Sequence, residues 1–99
     1  MRRHVQGEQT VIAAADTEVL GRKHSSGALV LDLQKFRQFY EGEKTTAAEL
    51  GAALSSCDSA NLAGKECVEA AISAGFAARG SVLHVGEVPH LQIYRIPKQ

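Results

Sequence analysis

The segment that decides the fold is Cys57–Val68, which reads CDSANLAGKECV. Its first half reads as a short apolar strand over residues 58–62. Gly64 then opens a stretch in which apolar residues recur at the spacing of a helix face. The sequence therefore predicts a strand, a tight turn and a helix over residues 64–74, with Gly75 as the left-handed stop of that helix.

Before this segment the chain predicts two paired strands, a loop and a third strand. Residues 11–15 read as a buried strand, paired in a hairpin with a short strand near residues 3–5. Residues 21–27 contain two glycines and two serines, which predicts a loop. Residues 28–33 read as a further strand.

Two helical segments are predicted in the middle of the chain. Phe36, Phe39 and Tyr40 fall at i, i+3 and i+4, so they share one face of a helical turn that closes over the sheet. Residues 46–49 (TAAE) match a capping box, which predicts a helix over residues 47–55. We expect the inner faces of the two longer helices to carry Ala47, Leu50, Gly51 and Leu54 in the first, and Cys67, Val68, Ala71 and Ile72 in the second.

The end of the chain reads as a β-hairpin. Residues 81–85 and 91–96 are strand-like, and the turn Gly86–His90 joins them. The order of the elements predicts an α+β fold, in which a mixed β-sheet carries packed helices and ends in a C-terminal β-hairpin. A length of 99 residues fits a single small domain over residues 1–99.

Composition limits the classes of partner. Eleven basic and eleven acidic residues cancel, so any contact with RNA must come from a local patch. No apolar run approaches the roughly 18 residues that a bilayer-spanning helix needs. The first residues lack the pattern of a signal peptide, and we expect a cytoplasmic protein in which Cys57 and Cys67 stay reduced.

The first candidate site is the start of the helix that follows Asn61. Gly64 leaves the first backbone N–H groups unshielded and Lys65 adds a full positive charge, which together favour a phosphate or carboxylate ligand. The alternative is structural. In that case Asn61 or Ser59 caps the helix, and Gly64 only permits close packing against the sheet.

The second candidate site is the turn at Pro89 and His90, with Gln92 on the returning strand. A rigid proline would hold the imidazole at the tip of a hairpin, where it could exchange a proton near neutral pH or stack on an RNA base. The alternative is a turn in which Pro89 fixes the backbone and His90 forms only local hydrogen bonds.

Basic residues form two local groups, residues 2–4 (RRH) and residues 22–24 (RKH), the second of which includes Arg22 and Lys23. If the first and last strands are neighbours, these groups gather on one edge with Arg95 and Lys98 and can contact RNA phosphates. A solvated rim is the alternative.

Neither stacking aromatics nor metal ligands are prominent in the sequence. Phe36, Phe39 and Tyr40 are spaced for a core, which leaves Tyr94 alone as a stacking residue. The cysteines and histidines lack the close paired spacing of a zinc site. We therefore expect no catalytic residue, no metal and no cofactor.

Four segments resemble the archaeal "domain of unknown function 424" family along nearly the whole chain. They are residues 11–16, residues 20–21, Asn61–Gly64 and Gly86–His90, and the last two are the specific ones. The family often carries Cys before the first Asp, where this chain has Ala15, so a thiol role is not implied there. The resemblance implies an archaeal cytosolic protein with a loose association with translation, in a family without an agreed activity.

Two hypotheses follow, and they differ in class. The leading one is a small binding protein that docks on ribosomal RNA or on a ribosome-associated factor through Asn61, Gly64, Lys65, Pro89, His90, Gln92, Arg22 and Lys23. The other is an enzyme or binder of a phosphate-bearing small molecule that uses the same turns, with His90 as acid and base. Convergence of Asn61, Gly64 and His90 on one pocket would favour the second hypothesis. An open surface beside Arg22 and Lys23 would favour the first.

Overall fold

The computed structural model describes residues 1–26, 29–35 and 37–94. In chain order the elements are β1 (Arg2–Gln6), β2 (Gln9–Ala15), β3 (Lys23–Ser26), β4 (Leu29–Asp32), α1 (Arg37–Tyr40), α2 (Ala47–Leu54), β5 (Ser59–Ala63), α3 (Lys65–Ser73), a 3-10 turn (Arg79–Ser81), β6 (Leu83–Val85) and β7 (Val88–Tyr94). The predicted α+β fold is confirmed. Among the described residues, no helix combines the length and the apolar character that crossing a membrane requires.

The strands form a five-stranded mixed sheet in the order β1-β2-β5-β7-β6, and β3 and β4 form a separate two-stranded sheet. Only the β2–β5 pair of the larger sheet is parallel, and the predicted hairpins β1–β2 and β6–β7 are both present. Two strands separate β1 from β7, so the proximity considered for the first and last strands is wrong. Arg95 and Lys98 lie outside the described residues.

The central strands β2, β5 and β7 of the larger sheet bury one face against α2 and α3. The alternation of a strand sends Ala60 and Leu62 of β5 to this face and Ala63 to the other. The largest fully buried side chains of the helix-covered core are Ile12, Leu54, Leu62 and Leu91. On the opposite face, part of the sheet is covered by a second cluster made of Ala13, Val19, Leu33, Tyr40, Ala63 and Val88.

Local signals predicted the two longer helices well. The Thr46 hydroxyl accepts a hydrogen bond from the Glu49 N–H, and the Glu49 carboxylate accepts one from the Thr46 N–H, which confirms the capping box. Gly75 has φ of +84° directly after α3, as its role of helix stop predicts. The predicted inner face of α2 is wrong at Ala47, which is exposed, because the second half of the helix makes the contact through Leu50, Ala53 and Leu54.

The aromatic cluster is confirmed for the residues that the structure describes. Phe39 and Tyr40 contact each other edge to face, with ring centroids 5.2 Å apart, and both belong to the second cluster. Phe36 lies outside the described residues.

Two predictions about loops are wrong. Lys23–Ser26 is a strand, paired with β4, because its backbone finds a partner that the polar composition does not reveal. The hairpin tip contains only Gly86 and Glu87, with Gly86 at φ of +63°. Pro89 and His90 therefore lie inside β7, where Pro89 costs no ladder hydrogen bond because β5 ends beside it.

Candidate nucleic-acid interface

The start of α3 is capped by Asp16, which follows β2 directly. One carboxylate oxygen accepts a hydrogen bond from the Glu66 N–H at 2.9 Å and the other accepts one from the Cys67 N–H at 3.0 Å. Asp16 is only 6% exposed, so its carboxylate occupies the position that a bound anion would take. The expectation that Asn61 or Ser59 caps this helix is wrong.

Gly64 makes this cap possible. Its φ of +106° and ψ of 157° belong to a region that glycine alone adopts readily. A Cβ at this position would overlap the carboxyl carbon of Asp16. The Gly64 N–H also donates to the carbonyl of Pro89 at 2.9 Å, which ties the start of α3 to β7.

Cys67 lies beside the same carboxylate. Burial and the hydrogen bond to Asp16 raise the pKa of the Cys67 thiol, which therefore stays protonated at neutral pH. A protonated thiol is a poor nucleophile and a poor metal ligand. Within the described part of the chain, no three His, Cys, Asp or Glu side chains lie close enough to hold a metal ion.

A cleft of about 670 Å³ lies on the other side of Gly64. We call it the basic cleft; its lining includes Arg22, Lys23, Gly64, Lys65, Glu87 and Pro89. Arg22, Lys23 and Lys65 are exposed, and none of these three forms an ion pair with another described residue. Glu18 and Glu87 are the carboxylates of its lining, so the three full cations outnumber them.

Backbone contacts hold the cations of the basic cleft in place. The Gly21 N–H donates to Leu33 and the Leu33 N–H donates to Arg22, which extends the small sheet next to Arg22. The His24 ring hydrogen-bonds the carbonyl of Val19 at 3.2 Å. The backbone segment that carries Arg22 and Lys23 is thus held against Leu33 and Val19.

A larger cavity of about 920 Å³ lies on the opposite side of the first turn of α3. We call it the acidic cavity, because the carboxylates in its lining are Asp16, Glu41, Glu43, Glu66 and Glu69. Among the described residues that line it, the cations are Lys44 and the α-ammonium group of Met1. Two of its carboxylates, Glu41 and Glu69, form ion pairs with Arg37 and Arg79. Lys65 and Glu66 are neighbours in sequence, yet they line different concavities.

The structure brings together five of the predicted site residues in the basic cleft, namely Arg22, Lys23, Gly64, Lys65 and Pro89. Asn61 and Gln92 lie opposite each other on β5 and β7, where the Gln92 amide donates to the Asn61 oxygen at 3.2 Å. His90 is half-buried between Ala63 and Leu83. Its Nε2 is buried without a hydrogen-bond partner among the described residues, and burial lowers the pKa of His90.

Comparison with known proteins agrees with the resemblance in the sequence. The family model described as "Protein of unknown function (DUF424)" matches residues 3–96. The chain belongs to the DUF424 family. A crystal structure of an uncharacterized conserved protein from Methanopyrus kandleri is similar to this DUF424 chain with a TM-score of 0.74 and 22% identity, over 99% of this chain and 94% of the other. That likeness shows the shared fold, and no curated protein matches the chain.

Proposed function

We propose that this protein is a small RNA-binding protein of the archaeal cytoplasm that docks on ribosomal RNA. The observation that carries the proposal is the convergence of Arg22, Lys23 and Lys65, three exposed cations without ion-pair partners among the described residues, in one open cleft. Cations in this arrangement are suited to neighbouring phosphates of an RNA backbone, where each contact releases counterions. The translation context comes from the family resemblance.

Three observations favour RNA over an enclosed phosphate-bearing ligand. The N–H groups of Glu66 and Cys67 already donate to Asp16, so the start of α3 has little to offer a free anion. Asn61 and His90 do not line the basic cleft, and Nε2 of His90 is buried rather than presented to a ligand. The cleft itself is partly open to solvent rather than enclosed, so an extended polymer can enter it.

The distribution of charge supports a single docking orientation. Cations outnumber carboxylates in the lining of the basic cleft, whereas carboxylates outnumber cations in the lining of the acidic cavity, although Arg37 and Arg79 form ion pairs with its Glu41 and Glu69. Lys65 and Glu66 set this polarity on either side of one helical turn. An RNA that approaches this part of the surface is therefore steered toward the cleft.

The test is sedimentation of tagged protein from a native lysate through a sucrose gradient, at low and at moderately high salt. We expect the wild type to migrate with ribosomal subunits at low salt and to leave them as salt rises, because phosphate contacts are screened. The variant Arg22→Gln/Lys65→Gln should stay at the top of the gradient. The control Arg3→Gln/Lys44→Gln removes the same charge from exposed residues outside the cleft and should migrate like the wild type.

Two results would contradict the proposal. One is a wild-type protein that stays at the top of the gradient at both salt concentrations. The other is equal loss of co-migration in the cleft variant and in its control, since that would indicate a general charge effect rather than a site.

A further inference from the structure

The face of the larger sheet opposite α2 and α3 is only partly covered. At one end, Ala63 and Val88 pack under the cluster that contains Val19 and Leu33. At the other end the β5–β7 register pairs Ser59 with Tyr94 and Asn61 with Gln92, all on the same face by strand alternation. We call these four residues the open face; its Gln92 and Tyr94 are exposed, and Ser59 and Asn61 are half-buried.

Tyr94 is the exposed aromatic ring of this face. The residue is 73% exposed, whereas Phe39 and Tyr40 pack in the second cluster and Phe76 packs against the helix-covered core. The residue opposite it is Ser59, which is too small to cover the ring. A flat aromatic surface on a sheet offers a platform on which a nucleobase can stack, and any base can use it.

Asn61 and Gln92 add hydrogen-bonding groups next to this ring. The Gln92 amide donates one hydrogen bond to the Asn61 oxygen, and each of the two amides can form further hydrogen bonds. The pair therefore still offers both donors and acceptors, whichever way the two amides are oriented. The edge of an unpaired base carries the complementary set. Gln92 precedes Tyr94 by two residues, so the amides lie about 7 Å along the strand from the ring.

β7 links the open face to the basic cleft. Val88 lines the cleft and lies on the same face of the strand as Tyr94, six residues away, which corresponds to about 20 Å. A short stretch of RNA that contacts Lys65 with a phosphate can thus reach the ring of Tyr94 with a base. In a duplex the bases are stacked on each other inside the helix and cannot reach it.

We propose that the protein selects single-stranded RNA, with one unpaired base stacked on Tyr94 and its edge bound by Asn61 and Gln92. This inference rests on the proposed function, because the cations of the basic cleft supply the phosphate contacts. It adds the form of RNA that is recognised, and it assigns a role to Tyr94.

The test is fluorescence anisotropy with a labelled single-stranded RNA of about ten nucleotides and with the same sequence as a duplex. We expect Tyr94→Ala to bind the single strand roughly 5- to 150-fold more weakly than the wild type, the usual range for loss of one stacked base. Tyr94→Phe keeps the ring and should bind like the wild type. Neither variant should change duplex binding or the salt dependence, because the ring carries no charge.

A second measurement uses the absence of tryptophan from the chain. The variant Tyr94→Trp introduces a single indole, whose fluorescence should be quenched by the single strand and left unchanged by the duplex. Unchanged fluorescence on saturation with the single strand would overturn the proposal, as would full single-strand affinity in Tyr94→Ala.

Failure of the two proposals can be told apart. If Arg22→Gln/Lys65→Gln loses binding and Tyr94→Ala keeps it, the RNA function stands and the stacking role is wrong. If Tyr94→Ala loses binding and the cleft variant keeps it, the stacking role stands and the cleft is not the phosphate site. Absence of binding to either form of RNA by the wild type would overturn both.

Discussion

The basic cleft and the acidic cavity lie on opposite sides of the first turn of α3, and they differ in charge. Lys65 lines the cleft and Glu66 lines the cavity, one residue apart. Their difference shows that a chain with no net charge can still present a cationic surface, because adjacent helix residues point in different directions.

Asp16 and Gly64 separate the two concavities, and their role at this boundary is to stabilise the fold. Asp16 and Gly64 join the ends of β2 and β5 to the start of α3, and both are buried. The cations beside them are exposed and lack ion-pair partners among the described residues. We therefore expect substitutions at the boundary to change stability, and substitutions in the cleft to change RNA binding.

The largest expected effect is that of Gly64→Ala. The backbone of Gly64 lies where other residues are strained, and the new Cβ would overlap Asp16, so we expect a loss of about 3 kcal/mol or more in the free energy of unfolding. Gly75→Ala is the matched control, because Gly75 also has a positive φ but has open space around it; it should lose about 1 kcal/mol. Urea denaturation measures both, and equal losses would contradict the role of Gly64 at the boundary.

Asp16→Ala should have the next largest effect. It removes both acceptors at the start of α3, and we expect a loss of about 2 kcal/mol in the free energy of unfolding. Asp16→Asn keeps one oxygen and should lose less. The folded fraction of either variant should bind RNA like the wild type. A marked loss of affinity without a loss of stability would place Asp16 in the binding surface instead.

These two residues also show how far the sequence alone could predict the molecule. The capping box at Thr46 and the stop at Gly75 depend on neighbouring residues, and both predictions were correct. The cap from Asp16 was missed because the residue lies 50 positions from Glu66 and is brought there by the parallel pairing of β2 with β5. Only a topology that places these two strand ends side by side could have revealed it.

The sequence predicts only part of the candidate site, because the rest depends on residues that the fold brings together from distant positions. Lys65 and Gly64 are adjacent to each other, and their place beside Pro89 depends on the hydrogen bond from the Gly64 N–H. The addition of Arg22 and Lys23 depends on the packing of the small sheet, which the polar sequence did not predict. The sequence predicts a turn at His90 because proline is common in turns, whereas the end of β5 allows Pro89 to lie within the strand.

Single substitutions at Lys65 in the basic cleft and Glu66 in the acidic cavity are expected to have smaller effects. Lys65→Gln should weaken RNA binding about fivefold and lower the slope of log affinity against log salt by about 0.7, the value for one phosphate contact of a single strand. Glu66→Gln changes the neighbouring residue by one charge on the acidic side and should not weaken binding. Both should leave the free energy of unfolding within about 0.5 kcal/mol of the wild type. Equal effects of the two substitutions on affinity would remove the distinction between the two concavities.

The smallest effect concerns His90, on the covered part of β7 next to the cleft. Burial lowers the pKa of His90 below its usual value of about 6.5, so the unfolded chain binds more protons at mildly acidic pH. The free energy of unfolding should therefore fall as the pH decreases below about 6.5. Its slope against pH should not exceed the value for the uptake of one proton by the unfolded chain. His90→Gln should lose less stability than the wild type between about pH 7.5 and 5.5, and His84→Gln, at an exposed histidine, serves as the control. Identical pH dependence of the wild type and His90→Gln would show that His90 is not the group responsible.

The most direct test of the central claim is an NMR titration of the isotope-labelled protein with single-stranded RNA at low and at higher salt. The account predicts that backbone amide signals of Arg22, Lys23 and Lys65 and of the hairpin tip shift on binding, and that they return toward their free positions as salt rises. The signals of residues that line the acidic cavity, such as Lys44, should stay in place. Shifts concentrated around that cavity, or no shifts at all at low salt, would contradict the assignment of the basic cleft as an RNA-binding surface.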